Sequence, residues 1–336
     1  MLRAKFPQTP LVRDVRKLKS LPPKTDLIAS GFPCQDLSQA GTTAGIWGAQ
    51  SGLVWEVFRL VRKSKPEYLL FENVPFMLRL NKGEAISLIV RRLEQLGYKW
   101  AYRVIDAQAF GVPQRRPRVF ILACRHVDPR KILLCQNASE PRARRTGTYG
   151  FYWTEGNTGI GLAKDALPAL KGGSALGIPS PPAIAIKKSG IFTPHLSDAE
   201  RLQGFPPHWT AAAVNGSKSK HRWRLIGNSV NVRVAAWLGR RLRHPLSYRA
   251  RGDEPLGGGT WPEAAYNVGQ GRFESTAGPF PVQRKHRSLR RFLRFPPKPL
   301  SARASKGILS RLERSSLRAG DILIRRLKDH IRARAA

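Results

Sequence analysis

Short apolar runs alternate with amphipathic stretches through the first 125 residues. Asp26-Leu27-Ile28-Ala29-Ser30 is too short for a helix and is stopped by Gly31 and Pro33, so it reads as a buried strand. Leu53, Val54, Val57, Leu60 and Val61 then recur at one face of a helix. Tyr68-Leu69-Leu70-Phe71 is a second strand, running into Glu72-Asn73-Val74-Pro75. Strand, helix and strand in this order predict a right-handed crossover between parallel neighbours. Ala85, Leu88, Ile89, Leu93 and Leu96 mark a second helix, a strand follows from about Tyr98 to Ile105, and Val119-Phe120-Ile121-Leu122-Ala123 is another. This alternation predicts an α/β fold with a mainly parallel sheet and helices on both faces.

Beyond Ala123 the pattern dissolves. Residues from about 126 to 190 are rich in Gly, Pro, Ser and Arg, with Arg142, Arg144 and Arg145 just ahead of Tyr149, Phe151, Tyr152 and Trp153. Interleaved basic and aromatic residues suit phosphate and base contact, although the aromatics equally suit a small satellite core. Ser197-x-x-Glu200 resembles a capping box opening a short helix that stops at Gly204-Phe205-Pro206. In Ile226-Gly227-Asn228-Ser229-Val230, Asn or Ser offers a cap to a helix carrying Val230, Val234, Leu238 and Leu242 on one face. Further on, Gly257-Gly258-Gly259 suggests a flexible joint. Ile322, Leu323, Leu327 and Ile331 sit at helical spacing among arginines, read as a solvated basic helix or as one that touches phosphate.

Charge narrows the class of partner. The formal net charge is +37, and residues 241–336 carry 22 Lys/Arg against 7 Asp/Glu, a denser excess than in the first 240. Such a balance favours a polyanion, nucleic acid first, through counterion release. The three cysteines, Cys34, Cys124 and Cys135, form no Cys-x-x-Cys pair, which points to a reducing compartment and no metal site. No run of about 18 apolar residues suggests a membrane span. The basic opening, Met1 to Lys19, lacks the Ser-rich pattern of a transit peptide and reads as part of the fold.

The candidate chemistry gathers at strand ends. Cys34 follows Pro33 on the loop leaving the first strand, Glu72 ends the next, and the crossover should open both onto one edge. Gln114-Arg115-Arg116-Pro117-Arg118 precedes a third strand. The segment from Gln39 to Gly52, which includes Trp47, is irregular and suits a loop closing over substrate.

Pro33-Cys34-Gln35, Glu72-Asn73-Val74 and the Gln114-x-Arg116-x-Arg118 block resemble the signature blocks of the DNA (cytosine-5) methyltransferases, in that family's order. Arg201-Leu202-Gln203-Gly204-Phe205-Pro206 and Gly227-Asn228-Ser229-Val230 resemble two more, so the likeness spans about residues 12–240. It implies a Rossmann-like methyltransferase sheet with a smaller, irregular target-recognition region. It also implies methyl transfer from S-adenosylmethionine to carbon 5 of cytosine in double-stranded DNA, through a covalent cysteine intermediate with the base flipped out. An unassisted thiol is only about 3% thiolate at pH 7, so Cys34 as nucleophile calls for a favourable field, expected from Arg116 and Arg118, while Glu72 holds the cytosine edge. By the same resemblance Asp14, Pro33, Asn228 and Val230 meet the cofactor, and Gln35, Ser38, Arg142, Arg144 and Arg145 meet DNA.

The implied division is a catalytic region over 1–125, target recognition over 126–222, a returning helix over 223–242 and a basic extension over 243–336. The family's opening Phe-x-Gly-x-Gly block is not found. The expectation is therefore a sheet lacking its first strand and helix, with exposed edges, half a cofactor pocket and room for a complementing N-terminal polypeptide. An inactive DNA-binding remnant is the alternative to an active monomer, and an RNA substrate ranks behind both because the nucleophile loop retains Pro-Cys-Gln. The compartment is cytoplasmic in a bacterium, nuclear in a eukaryote.

Overall fold

Leu27–Gly31 and Tyr68–Asn73 pair in parallel, from Leu27 beside Tyr68 to Gly31 beside Glu72, and helix Leu53–Ser64 connects them. The structure is a computed structural model. It describes residues 1–33, 52–142, 146–154, 159–172, 181–213, 220–285, 287–314 and 320–335. Cys34, Gln35, Ser38 and Trp47, the 39–51 stretch, Arg144 and Arg145 lie outside the described residues.

Seven strands form the larger sheet, in the order Leu27–Gly31, Tyr68–Asn73, Pro117–Cys124, Lys99–Asp106, Ala264–Asn267, Arg272–Glu274 and Glu254–Pro255. The expectation of a mainly parallel sheet is corrected, since its first pair alone is parallel. The cause is local: Lys99–Asp106 returns as Pro117–Cys124 through a short 3-10 turn and no crossover helix, so the two must run antiparallel. Alternate residues of Pro117–Cys124 serve two cores. Val119, Ile121 and Ala123 face helices Leu53–Ser64 and Glu84–Gln95, and Phe120, Leu122 and Cys124 face helix Val232–Arg243.

The last third of the chain is built into this frame rather than appended to it. Ala264–Asn267 pairs with Lys99–Asp106, and Glu94 clasps Asn267 and Arg272 at 2.9 and 2.7 Å. Fully buried Arg103 donates to the carbonyls of Gly278, Leu133 and Gln136, and burial pushes its guanidinium down to about 10. It still carries charge at neutral pH and ties three loops together.

A second sheet of five antiparallel strands runs Lys298–Pro299, Gly190–Thr193, Ala183–Ile186, Tyr149–Phe151 and Ala163–Lys164. Its central strand is buried on both faces. Ala183 and Ala185 pack with Ile308, Leu312, Leu323 and Leu327 of helices Ala302–Arg314 and Asp321–Ala335. Ile184 and Ile186 pack with Leu202, Trp223 and Ile226. The reading of the tail as a solvated helix is thus corrected: Leu323 and Leu327 are buried, although Ile322 is 55% exposed. His330 fastens the tail, accepting from the Ile191 N–H at Nδ1 and meeting the Leu300 carbonyl at Nε2, 2.8 Å away. Phe151 and Trp153 belong to this core.

Two caps also differ from expectation. His195, not Ser197, caps helix Leu196–Leu202, because its Nδ1 accepts from the Ser197 N–H while Ser197 is itself buried. The returning stretch is two helices, Lys220–Asn228 and Val232–Arg243. Ser229 Oγ donates to the Ile226 carbonyl to close the first, and Asn231 rather than Asn228 or Ser229 caps the second. Among the described residues no helix is long and apolar enough to cross a membrane.

Candidate active site

The parallel register sets Gly31 beside Glu72, and a β-carbon at Gly31 would stand 3.5 Å from Oε2 of Glu72. The carboxylate therefore lies over the backbone that leads into half-buried Pro33 and on to Cys34. Buried Asn73 secures the exits of both strands, donating to the Phe32 carbonyl at 3.3 Å and accepting from the Val74 N–H at 2.8 Å. From the neighbouring antiparallel strand, Arg118 brings Nε to 3.2 Å from Glu72 Oε1, with both side chains 16% exposed. An ion pair so sheltered is screened less than a surface pair.

Arg116 does different work. Its head is buried and donates to the carbonyls of Leu170, Gly227 and Ser229 at 3.0, 2.9 and 2.9 Å. Its N–H donates to Asp106 Oδ1 at 3.0 Å; burial pushes that carboxyl up, against the pull of the Gln108 and Arg116 N–H groups. Gln114 donates to the Leu202 carbonyl, Gln203 to that of Ile226 and Asn231 to that of Leu202. The blocks scattered over residues 114–231 thus meet in one buried polar joint between the two sheets. Gly227 is required there, because a β-carbon would come within 2.3 Å of the Lys171 carbonyl carbon. Glu200 gathers the adjoining turn, accepting from the Thr210 N–H at 2.8 Å and from Arg222 at 3.0 Å.

The other sequence candidates are spread more widely. Asp14 caps the Val15–Lys17 turn, and hydrogen bonds from the Arg16 side chain and N–H hold its carboxyl below the usual range. Asn228 is exposed, Val230 is half-buried against the core under helix Val232–Arg243, and Arg142 is exposed. Residue-type reasoning did not find Asn73 or Asp106 as parts of the site. The signal was that both are polar residues ending apolar strands.

Residues 1–149 match the family described as C-5 cytosine-specific DNA methylase. Over 329 residues the chain is 43% identical to the Type II methyltransferase M2.BsuMI of Bacillus subtilis (strain 168), covering 94% of this chain and 84% of that protein. The chain belongs to the C-5 cytosine-specific DNA methylase family. A Type II methyltransferase of Dactylococcopsis salina, M.DsaV, is 27% identical over 259 residues, covering 67% of this chain and 70% of the other. Among solved structures, the Dnmt2 methyltransferase of S. pombe is similar at a TM-score of 0.48 and 18% identity, over 70% of this chain and 84% of that one. Membership makes this chain a C-5 cytosine DNA methyltransferase, and its large mixed sheet flanked by helices is an α/β arrangement consistent with a Rossmann-like methyltransferase fold. In this C-5 cytosine-specific DNA methylase, Glu72 and Arg118 form a matched pair beside the strand end that leads to Pro33.

Proposed function

We propose that the chain transfers the methyl group of S-adenosylmethionine to carbon 5 of a cytosine extruded from double-stranded DNA, by way of a transient bond from the Cys34 sulfur to carbon 6. The observation that carries this reading is the Glu72–Arg118 pair, held over the backbone that runs into Cys34. The pair suits one pyrimidine edge: Glu72 meets ring nitrogen 3 and the exocyclic amine, and Arg118 fixes the carboxylate and answers the ring carbonyl. Thiolate addition to carbon 6 makes carbon 5 nucleophilic. After carbon 5 is methylated a base removes its proton, the ring double bond re-forms and the thiolate leaves. Arg116 is a positioning residue in this scheme, joining the catalytic edge to the module that holds DNA. Extruding the base costs a few kcal/mol, offset by contacts to the flanking duplex.

The cofactor supplies an electrophilic methyl on a sulfonium sulfur. The residues here fit such a group by the chemistry of the donor set. Asp14 is kept ionised as an acceptor for an adenine amine, and its ion pair with Arg16 is exposed enough to exchange at little cost. Leu27–Gly31 is exposed or half-buried at every position and ends the sheet among the described residues, which leaves that flank open to a ligand beside Pro33. Asn228 and Val230 would close on it from the helix break.

The test is transfer of labelled methyl to duplex DNA by the full chain. Cys34→Ser should abolish transfer and keep DNA binding, and Glu72→Gln should cut the rate about 10²- to 10⁴-fold. Full activity in Cys34→Ser would overturn the covalent route. DNA binding with no transfer by the unaltered chain would favour the inactive remnant.

A further inference from the structure

We infer that Lys187, beside Arg326 at Gly147, together with Lys188 of the same turn and Lys164 of the neighbouring strand, forms a site for the phosphate backbone of DNA flanking the target base. This rests on the DNA-methylating reading above. Three separate stretches of sequence meet there. Tyr149 is in register with Lys164 on one side and Ala185 on the other. Two residues past Ala185 the hairpin between Ala183–Ile186 and Gly190–Thr193 turns through Lys187 and Lys188, both exposed. Arg326, from the tail helix, donates to the carbonyls of Gly147 at 2.5 Å and Ala185 at 3.4 Å and lies 5.3 Å from the Tyr149 ring centroid.

Gly147 is what lets Lys187 and Arg326 come close together. Its φ is +65°, and a β-carbon there would stand 3.3 Å from Cδ of Lys187 and 3.4 Å from Nη2 of Arg326. The three lysines pair with no carboxylate among the described residues. The adjacent acid, Asp165, is buried and turned inward, its Oδ1 accepting from Thr146 Oγ1 and the Leu289 N–H. Like charges gathered without a counter-charge destabilise a fold unless an anion offsets them, and compact ammonium groups suit phosphate as point charges. The place is suitable as well. Lys164 lies six residues before Leu170, whose carbonyl Arg116 holds, so at most about 22 Å of chain separates Lys164 from the joint that Arg116 ties two residues before Arg118. That is less than one turn of duplex, about 34 Å.

The experiment measures duplex binding by the full chain against salt concentration, with methyl transfer followed in parallel. A triple variant, Lys164→Gln, Lys187→Gln and Lys188→Gln, should bind at least tenfold more weakly at low salt. Its log–log salt slope should flatten by about 2 to 3, at about 0.9 for each phosphate no longer neutralised. Its kcat at saturating DNA and its melting temperature should not change. The triple Arg variant, which keeps the charge, should keep the slope and so separates charge from folding. Unchanged affinity and slope in the Gln variant, with normal binding by the unaltered chain, would overturn the site alone. Salt-independent binding, or none, by the unaltered chain would overturn both the site and the DNA reading beneath it.

Discussion

At the working edge of the seven-stranded sheet the charged residues face one another: Glu72 with Arg118, and Arg116 with the carbonyls it crosslinks. On the five-stranded sheet Lys164, Lys187 and Lys188 are exposed, and the nearby acid, Asp165, is turned into the core. On the function proposed above, the difference follows from what each edge would hold. A reacting base needs groups fixed to a fraction of an ångström, which matched and sheltered charges provide. A phosphate backbone needs accessible charge, and fixed geometry matters less. Assembly differs too. The catalytic strands come mostly from residues 27–124, whereas the smaller sheet is closed by helices drawn from residues 302–335.

This contrast can be broken from either side. The largest stability effect should come from Leu327→Ala, which empties the middle of the core shared by the tail and the smaller sheet. A loss of about 2–5 kcal/mol is expected, confined to that module. Hydrogen exchange should quicken in residues 183–193 and stay slow in 117–124. Equal quickening in both would mean that the two sheets form one cooperative unit. Next is Gly227→Ala, whose methyl would strike the backbone of Lys171 and Gly172 and pry open the polar joint. About 1–3 kcal/mol of destabilisation is expected. The KM for DNA should rise more than kcat falls, and a wild-type melting curve would rule the joint out as a tight contact.

The smallest effect concerns pH. Burial alone would raise Glu94, but hydrogen bonds from Arg272, Asn267 and Trp100 outweigh it and hold the carboxyl below its ordinary 4.5. Because the folded value is depressed, this contribution is complete above the ordinary value and is lost as pH falls through the lower one. The expected size is about 1 kcal/mol or less for so accessible a pair. Protection of the amides of residues 264–274, measured relative to their intrinsic exchange rates at each pH, should therefore fall on acidification, and Glu94→Gln should flatten that dependence.

Much of the catalytic half was legible because its periods are clean. Helices Leu53–Ser64 and Glu84–Gln95 carry their apolar residues at 3.6 spacing, and the strands around Leu69 and Ile121 are short and apolar. Strand direction was not legible, since it depends on whether residues 107–116 form a helix or a tight turn, and the apolar pattern is the same either way. The three tail strands of the larger sheet escaped notice because each has two to four residues. Among the arginines of Asp321–Ala335, Leu323 and Leu327 gave the correct buried face, but charge counting hid it. Arg116 and Arg118 could not be told apart by spacing. Only the antiparallel register sends one to Glu72 and the other to the joint.

Closing the smaller sheet with the last helices has a consequence for how the protein is made. Strand Tyr149–Phe151 leaves the ribosome about 150 residues before helix Ala302–Arg314, a delay on the order of ten seconds at about 5–20 residues per second. Throughout that interval one apolar flank of the nascent module stands uncovered, so a chaperone or a crowded neighbour meets it before its own covering helices do.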